Sequence, residues 1–197
     1  MLSSEVDLNP ELDDIELDDR ELEVLKLLSS DLNAYFSFQG LRRRLGFHQE
    51  TLTRTLKRLE EANVVERTPA GYKAKNPHVS FGFTVNGAQA LPKPIVEAYL
   101  PAQVDVTVLF QRLRGRWFSN FRWLGYSQDG ERFSMRWISE DGQLQIQARI
   151  GQGKITIATT SPAGKPEADS VAAAYQLFEH ISKIAEEMVQ HQGPVAS

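Results

Sequence analysis

The chain has 197 residues, 41% hydrophobic and 24% charged, a balance typical of a globular protein able to bury a core. It has no cysteine, which excludes disulfides, thiolate zinc sites and cysteine nucleophiles, and its four histidines, His48, His78, His180 and His191, lack metal-ligand spacing. The formal net charge of −4 hides a division: residues 1–34 hold eleven acids against Arg20 and Lys26, residues 35–80 hold nine bases against four acids, and the rest is balanced.

Local charge is what a phosphate backbone meets, so the basic segment keeps nucleic acid open as a partner. The opening residues have neither the basic stretch nor the apolar run of a signal peptide. No segment approaches the ~18 apolar residues of a membrane span. A cytoplasmic protein without a membrane partner is expected.

Residues 1–17 contain acids and isolated leucines, with Asn9-Pro10 breaking any helix, and read as a flexible acidic arm. Asp18 with Glu21 three residues on signals a helix start, and Leu22, Leu25 and Leu28 extend that helix to about Ser29. Asp31-Leu32-Asn33 ends it. From Ser37 the pattern is helix, the turn Gly46-Phe47, then a second helix over about 48–62 with Leu52, Leu56 and Leu59 on one face. Asn63 suits a left-handed cap. Residues 64–75 form a hairpin around Pro69-Ala70-Gly71. Phe81, Phe83 and Val85 alternate, and a helix capped by Asn86 is expected to run to about Leu100, limited by Pro92 and Pro94.

A different pattern begins near residue 104. Strands are expected at 105–112, 116–126, 131–139, 143–150 and 154–160, with turns at Arg114-Gly115, Asp129-Gly130, Asp141-Gly142 and Gln152-Gly153. After a Pro/Gly loop, Ser170 caps a last helix with Ala174, Leu177, Phe178, Ile181, Ile184, Ala185 and Met188 on one stripe. The expected fold is α+β: a helical N-terminal unit at 18–100, and at 104–192 an antiparallel β-meander covered by one helix. Two-residue loops place Tyr126 opposite Phe133, Leu124 opposite Met135, Trp137 opposite Ile146 and Ala148 opposite Ile157. The other face then gathers Val106, Val108, Phe110, Trp117, Phe121 and Trp123 at one end, and Arg136, Gln145, Gln147 and Arg149 at the other. His180 falls on the polar side of the last helix, in solvent.

The run Thr51-Leu52-Thr53-Arg54-Thr55-Leu56-Lys57-Arg58-Leu59-Glu60, with the scaffold helix before it and the β-branched Val64-Val65 after it, resembles MarR/ArsR-like winged helix-turn-helix regulators. The resemblance covers about residues 18–100. His48 stands where such proteins often have Ser or Thr, and Asn63 where they commonly have Gly. The resemblance implies a recognition helix at about 48–62 in the major groove of double-stranded DNA and a wing at about 64–75 along the backbone.

The chemistry of the side chains agrees with that expectation. His48, Gln49 and Glu50 lie in the first turn, nearest the bases, with Thr53 and Arg54 a turn later; arginine suits guanine and glutamine suits adenine. Arg42, Arg43, Arg44, Lys57 and Arg58 suit phosphates, and Arg67, Lys73 and Lys75 suit a wing. The bland alternative is that these are the solvated faces of amphipathic helices. Two functional alternatives stand beside sequence-specific regulation: a winged-helix module that joins proteins, and an architectural DNA binder with little sequence preference.

For the face bearing Trp117, Phe121 and Trp123 with Arg136, Gln145, Gln147 and Arg149, three partners stand open. One is a second copy in a homodimer, or the N-terminal unit itself. Another is a small anionic or aromatic ligand. The third is single-stranded nucleic acid, which the balanced charge disfavours. A dimer through residues 87–100 competes with the first. No catalytic motif, metal site or cofactor-binding loop is expected: glycine-rich phosphate loops and nucleophile elbows are absent, and the paired acids Asp13-Asp14 and Asp18-Asp19 have no rigid scaffold.

Overall fold

The computed structural model describes residues 17–75, 92–161 and 167–191. The acidic arm up to residue 16, the alternation at 81–85 and the helix start at Asn86 lie outside these. The described chain is mixed helix and sheet, and none of its helices is long and apolar enough to cross a membrane.

The first helix, α1 (Asp19–Ser29), begins as the acidic pair at its start dictates. The Asp18 carboxylate accepts the Arg20 and Glu21 amides at 2.9 and 2.8 Å, and Glu21 accepts the Asp18 amide at 2.9 Å. A three-residue strand, β1 (Ala34–Phe36), follows, which the sequence did not announce. Next come α2 (Phe38–Leu45), capped by Ser37, and α3 (Gln49–Glu61), then the hairpin of β2 (Val65–Thr68) and β3 (Gly71–Ala74). Between the two helices Gly46 takes a left-handed conformation at φ 69°, which glycine adopts without steric cost.

Two expectations fail in the middle of the chain. Lys93–Tyr99 is a strand, β4, rather than the end of a helix. Pro94 has no amide hydrogen to donate, and the strand tolerates it because β4 is the sheet's edge, with the register broken between Pro94 and Val96. Conversely, the strand expected at 105–112 is a helix, α4 (Val106–Leu113), started by Asp105, which accepts the Val108 amide at 3.0 Å. Val106 and Val108 alternate as in a strand, but the buried set is Leu109, Phe110 and Leu113, which share one helical face.

Four strands form the expected meander: β5 (Phe121–Asp129), β6 (Arg132–Ser139), β7 (Gln145–Gly151) and β8 (Lys154–Thr160). The last helix, α5 (Glu167–His191), begins before Ser170. The sheet has the order β2-β3-β1-β5-β6-β7-β8-β4. Trp137 pairs with Ile146 and Ala148 with Ile157, as the loops required. Tyr126 instead meets Met135, and Phe133 meets Gln128, because the β5–β6 loop consists of Gly130-Glu131. That slip of two residues preserves the faces.

A bulge then changes them. The register of β5 breaks between Trp123 and Gly125, so Trp123 pairs with Trp137, and Leu124 is the extra residue. Leu124 joins the core formed by α1, α2 and α3, whereas Trp123 stays in the core beneath α4 and α5. The expectation of one covering helix is therefore corrected to two, and Phe121 and Trp123 lie under them at 3% and 8% exposure rather than on an open face.

The strand β1 joins the two halves. Phe36 pairs with Tyr72 on one side and Gly125 on the other, so one sheet takes in all the strands of the described residues. Ser37 supports the junction: its amide donates to the Leu124 carbonyl at 2.8 Å and its hydroxyl to the Trp123 carbonyl at 3.1 Å. The backbones approach too closely for side chains. A Cβ on Gly125 would lie 2.1 Å from the Tyr35 carbonyl oxygen, and one on Gly40 would lie 2.7 Å from the Leu124 backbone. Gly125→Ala should therefore push β1 from β5 and cost about 1–3 kcal/mol. A lowered urea midpoint would show it, and an unchanged one would contradict this account of the junction.

Candidate functional site

One face of α3 is anchored and the other is free. Leu52, Leu56 and Leu59 are buried to within 1%. Outward stand His48, Gln49, Glu50, Thr53, Arg54, Lys57 and Arg58, all exposed. His48 is the N-cap residue but makes no side-chain capping bond, and Thr53 returns its hydroxyl to the Gln49 carbonyl at 2.8 Å. The hairpin lies alongside, leaving a groove of about 580 Å³ between Thr53 and Lys57 on α3 and Arg67 and Tyr72 on the hairpin.

The basic residues singled out from the sequence differ in their partners. Among the described residues Arg54 has no ion-pair or hydrogen-bond partner. Lys57 has only a long contact to Glu61, 3.8 Å, and the Arg67 guanidinium lies 5.9 Å from the Tyr72 ring centroid. These three cations face outward. Arg58 is committed elsewhere, 3.0 Å from the buried Glu21 and 3.4 Å from Asp18, and it clasps α3 to the start of α1. In the hairpin Lys73 is bonded to Glu66 at 3.3 Å and lies over Tyr35, and Lys75 donates to Asn63.

The arginine triplet of α2 is half-buried, and Arg43 lies near Arg122 and Glu140 on the sheet side. Burial, with the charges of Arg42 and Arg122, lowers the Arg43 pKa below its ordinary value, and Glu140 opposes this. Arg44 lines a cavity on the sheet together with Asp31, Arg136 and Arg149.

On the sheet, the expected group Arg136, Gln145, Gln147 and Arg149 does come together, on the face away from α4 and α5. Arg136 donates from Nη2 to Asp31, whose carboxylate also accepts the Ser127 hydroxyl at 2.9 Å and the Asn33 amide at 3.1 Å. Gln147, buried in the sheet, donates to Ser134. The other nitrogen of Arg136, Nη1, is buried and has no partner among the described residues. Such a donor typically costs about 1–3 kcal/mol.

The aromatic half of that group separates. Trp117 is 62% exposed and lies 4.6 Å beneath the Arg122 guanidinium, whereas Trp123 packs edge-on against Trp137 with centroids 5.3 Å apart. His180 is also corrected: it stacks on Phe118 at 6.0 Å. Burial first, then the charge of Lys183, lowers its pKa against the pull of Glu187. Asp31, read from the sequence only as a helix terminator, holds the centre of the polar face. No signal in the sequence marked it, because its partner Arg136 lies 105 positions away. No protein-family model matches the chain, and no curated protein or solved structure matches it either.

The Asp31 carboxyl has its pKa held below the ordinary 3.8. Burial acts to raise it, but the hydrogen bond and charge of Arg136, with the bonds from Ser127 and Asn33, outweigh burial. A depressed native pKa contributes stability that is fully present above the unfolded value and is lost as pH falls through the native one. Asp31→Asn should flatten that part of the acid limb in urea midpoints, and at neutral pH should cost about 1–3 kcal/mol by depriving Arg136 of its counter-charge. An acid limb identical to that of the unchanged protein would refute the assignment.

Proposed function

We propose that this protein is a sequence-specific, duplex-DNA-binding transcriptional regulator of the cytoplasm. In this reading about residues 18–100, of which 18–75 hold the described helices and hairpin, form a winged helix-turn-helix resembling the MarR/ArsR-like regulators. The observation that carries it is the free face of α3, where Gln49, Thr53, Arg54 and Lys57 project from a helix whose opposite face is fixed in the core.

A helix about 10–12 Å across enters the major groove, with its first turn nearest the base edges. That turn presents His48, Gln49 and Glu50, and Arg54 stands a turn later. Arg67, on the neighbouring hairpin, reaches a flanking phosphate. The local excess of bases drives the approach although the whole chain is acidic. Two copies would match half-sites about 10 base pairs apart. Such a homodimer would need a surface other than Phe121 and Trp123, which are core residues.

The test separates reading from scaffolding. Arg54→Ala should weaken binding to a selected duplex by about 1–3 kcal/mol and relax its sequence preference, with no change in unfolding midpoint. Arg58→Ala should instead lower the unfolding free energy by about 1–3 kcal/mol, and with it the midpoint, because it removes the cation beside the buried Glu21. Anisotropy titrations at two salt concentrations and urea melts supply both readouts. Absence of salt-sensitive binding to any duplex would defeat the reading in favour of a protein-interaction module. Equal binding to all duplexes would favour an architectural role.

A further inference from the structure

Among the described residues, the face of the sheet away from α4 and α5 carries more positive charge than its own carboxylates answer. Arg44 from α2, Arg136 from β6 and Arg149 from β7 line one cavity of about 400 Å³, and Asp31 is the single carboxylate among the described residues that line it. Asp31 is already bonded to Arg136. Arg44 and Arg149 have no ion-pair or hydrogen-bond partner among the described residues, and Arg136 Nη1 is buried without one.

A second cavity of about 530 Å³ adjoins the first, sharing Asp31, Arg136, Gln147 and Arg149 and adding Arg132 and Asp129, with Lys154 at its rim already paired to Glu97 at 3.1 Å. Uncharged donors and acceptors lie between the guanidiniums: Gln145 and Gln147 from β7, and Ser134 from β6. Native folds rarely leave buried donors unanswered, and guanidinium forks match the paired oxygens of a carboxylate or phosphate. A concave site of a few hundred Å³ with convergent polar groups suits a small molecule.

We propose that this face binds a small organic anion, whose carboxylate or phosphate group sits between Arg44 and Arg149 and draws on Arg136, with its uncharged polar part on Gln145. A small anion is favoured over a nucleic-acid strand because Arg136 is only 11% exposed, within the sheet rather than along a ridge that a backbone can follow. The bridge from Asp31 to Arg136 makes Asp31 the resident competitor of the ligand. The proposal does not depend on the DNA reading, since α3 takes no part in it.

The test is calorimetric titration of the full chain with inorganic phosphate and, separately, with citrate, at ionic strength held constant by sodium chloride. Expected is saturable binding of at least one probe with a Kd in the ~mM range or tighter. Arg149→Gln, an exposed position, should weaken it about tenfold or more. Arg112→Gln, on α4 across the sheet, should leave it unchanged. Asp31→Asn should tighten it severalfold by removing the competing carboxylate, and if that variant fails to fold, Arg44→Gln replaces it and should weaken binding. Response to phosphate alone or to citrate alone assigns the head group. Saturation by neither probe, or an affinity that Arg149→Gln leaves intact, overturns the proposal and makes water the partner of Arg136.

Discussion

Three residues of backbone hold this protein in one piece. Ala34, Tyr35 and Phe36 pair with Ser127, Tyr126 and Gly125, and Phe36 also pairs with Tyr72, so the N-terminal hairpin and the C-terminal meander belong to the same sheet. Gly125 and Gly40 are the condition for that contact, because each lies where any side chain would strike a neighbouring backbone. The bulge at Leu124 completes the junction by turning one leucine of a C-terminal strand into the core of the N-terminal helices, beside Ile138. The two halves therefore share a core as well as a sheet.

What was legible in the sequence was whatever repeats. The leucine stripes of α1 and α3 and the apolar stripe of α5 each recur over several turns, and their register survives local irregularity. The Xaa-Gly loops likewise fixed β6, β7 and β8 nearly residue by residue. Short or exceptional elements were not legible. In β1, three residues give no period to detect. The eight residues of α4 open with Val106 and Val108, whose alternation imitates a strand until tertiary burial of Leu109, Phe110 and Leu113 decides the matter. A bulge leaves no mark in composition, and missing it put Trp123 on the wrong face.

The same limit applies to the sites. Exposure of the polar face of α3 follows from its amphipathic pattern, so Gln49, Thr53 and Arg54 were found where they stand. Partnership between side chains does not follow from pattern. Arg54 and Arg58 look alike in the sequence, yet one is free among the described residues and the other clasps Glu21. Arg44, grouped with phosphate contacts, belongs with the arginines of the sheet because α2 lies across β5 and β6. Asp31 gained its role only when a residue 105 positions further on, Arg136, was brought beside it.

The double pairing of β1 also bears on what part of this chain is transferable. A fragment ending after β3 would keep its helices and hairpin but would uncover the β5-facing edge of β1, with its amide and carbonyl groups unpaired, beside apolar surface that had been packed on Leu124 and Ile138. An open edge next to a bared hydrophobic patch invites association with other chains. The helices that carry the outward face of α3 are thus not a cassette to be lifted out and grafted elsewhere, and the boundary at which such a unit could be exchanged intact does not lie between its hairpin and the rest of its sheet.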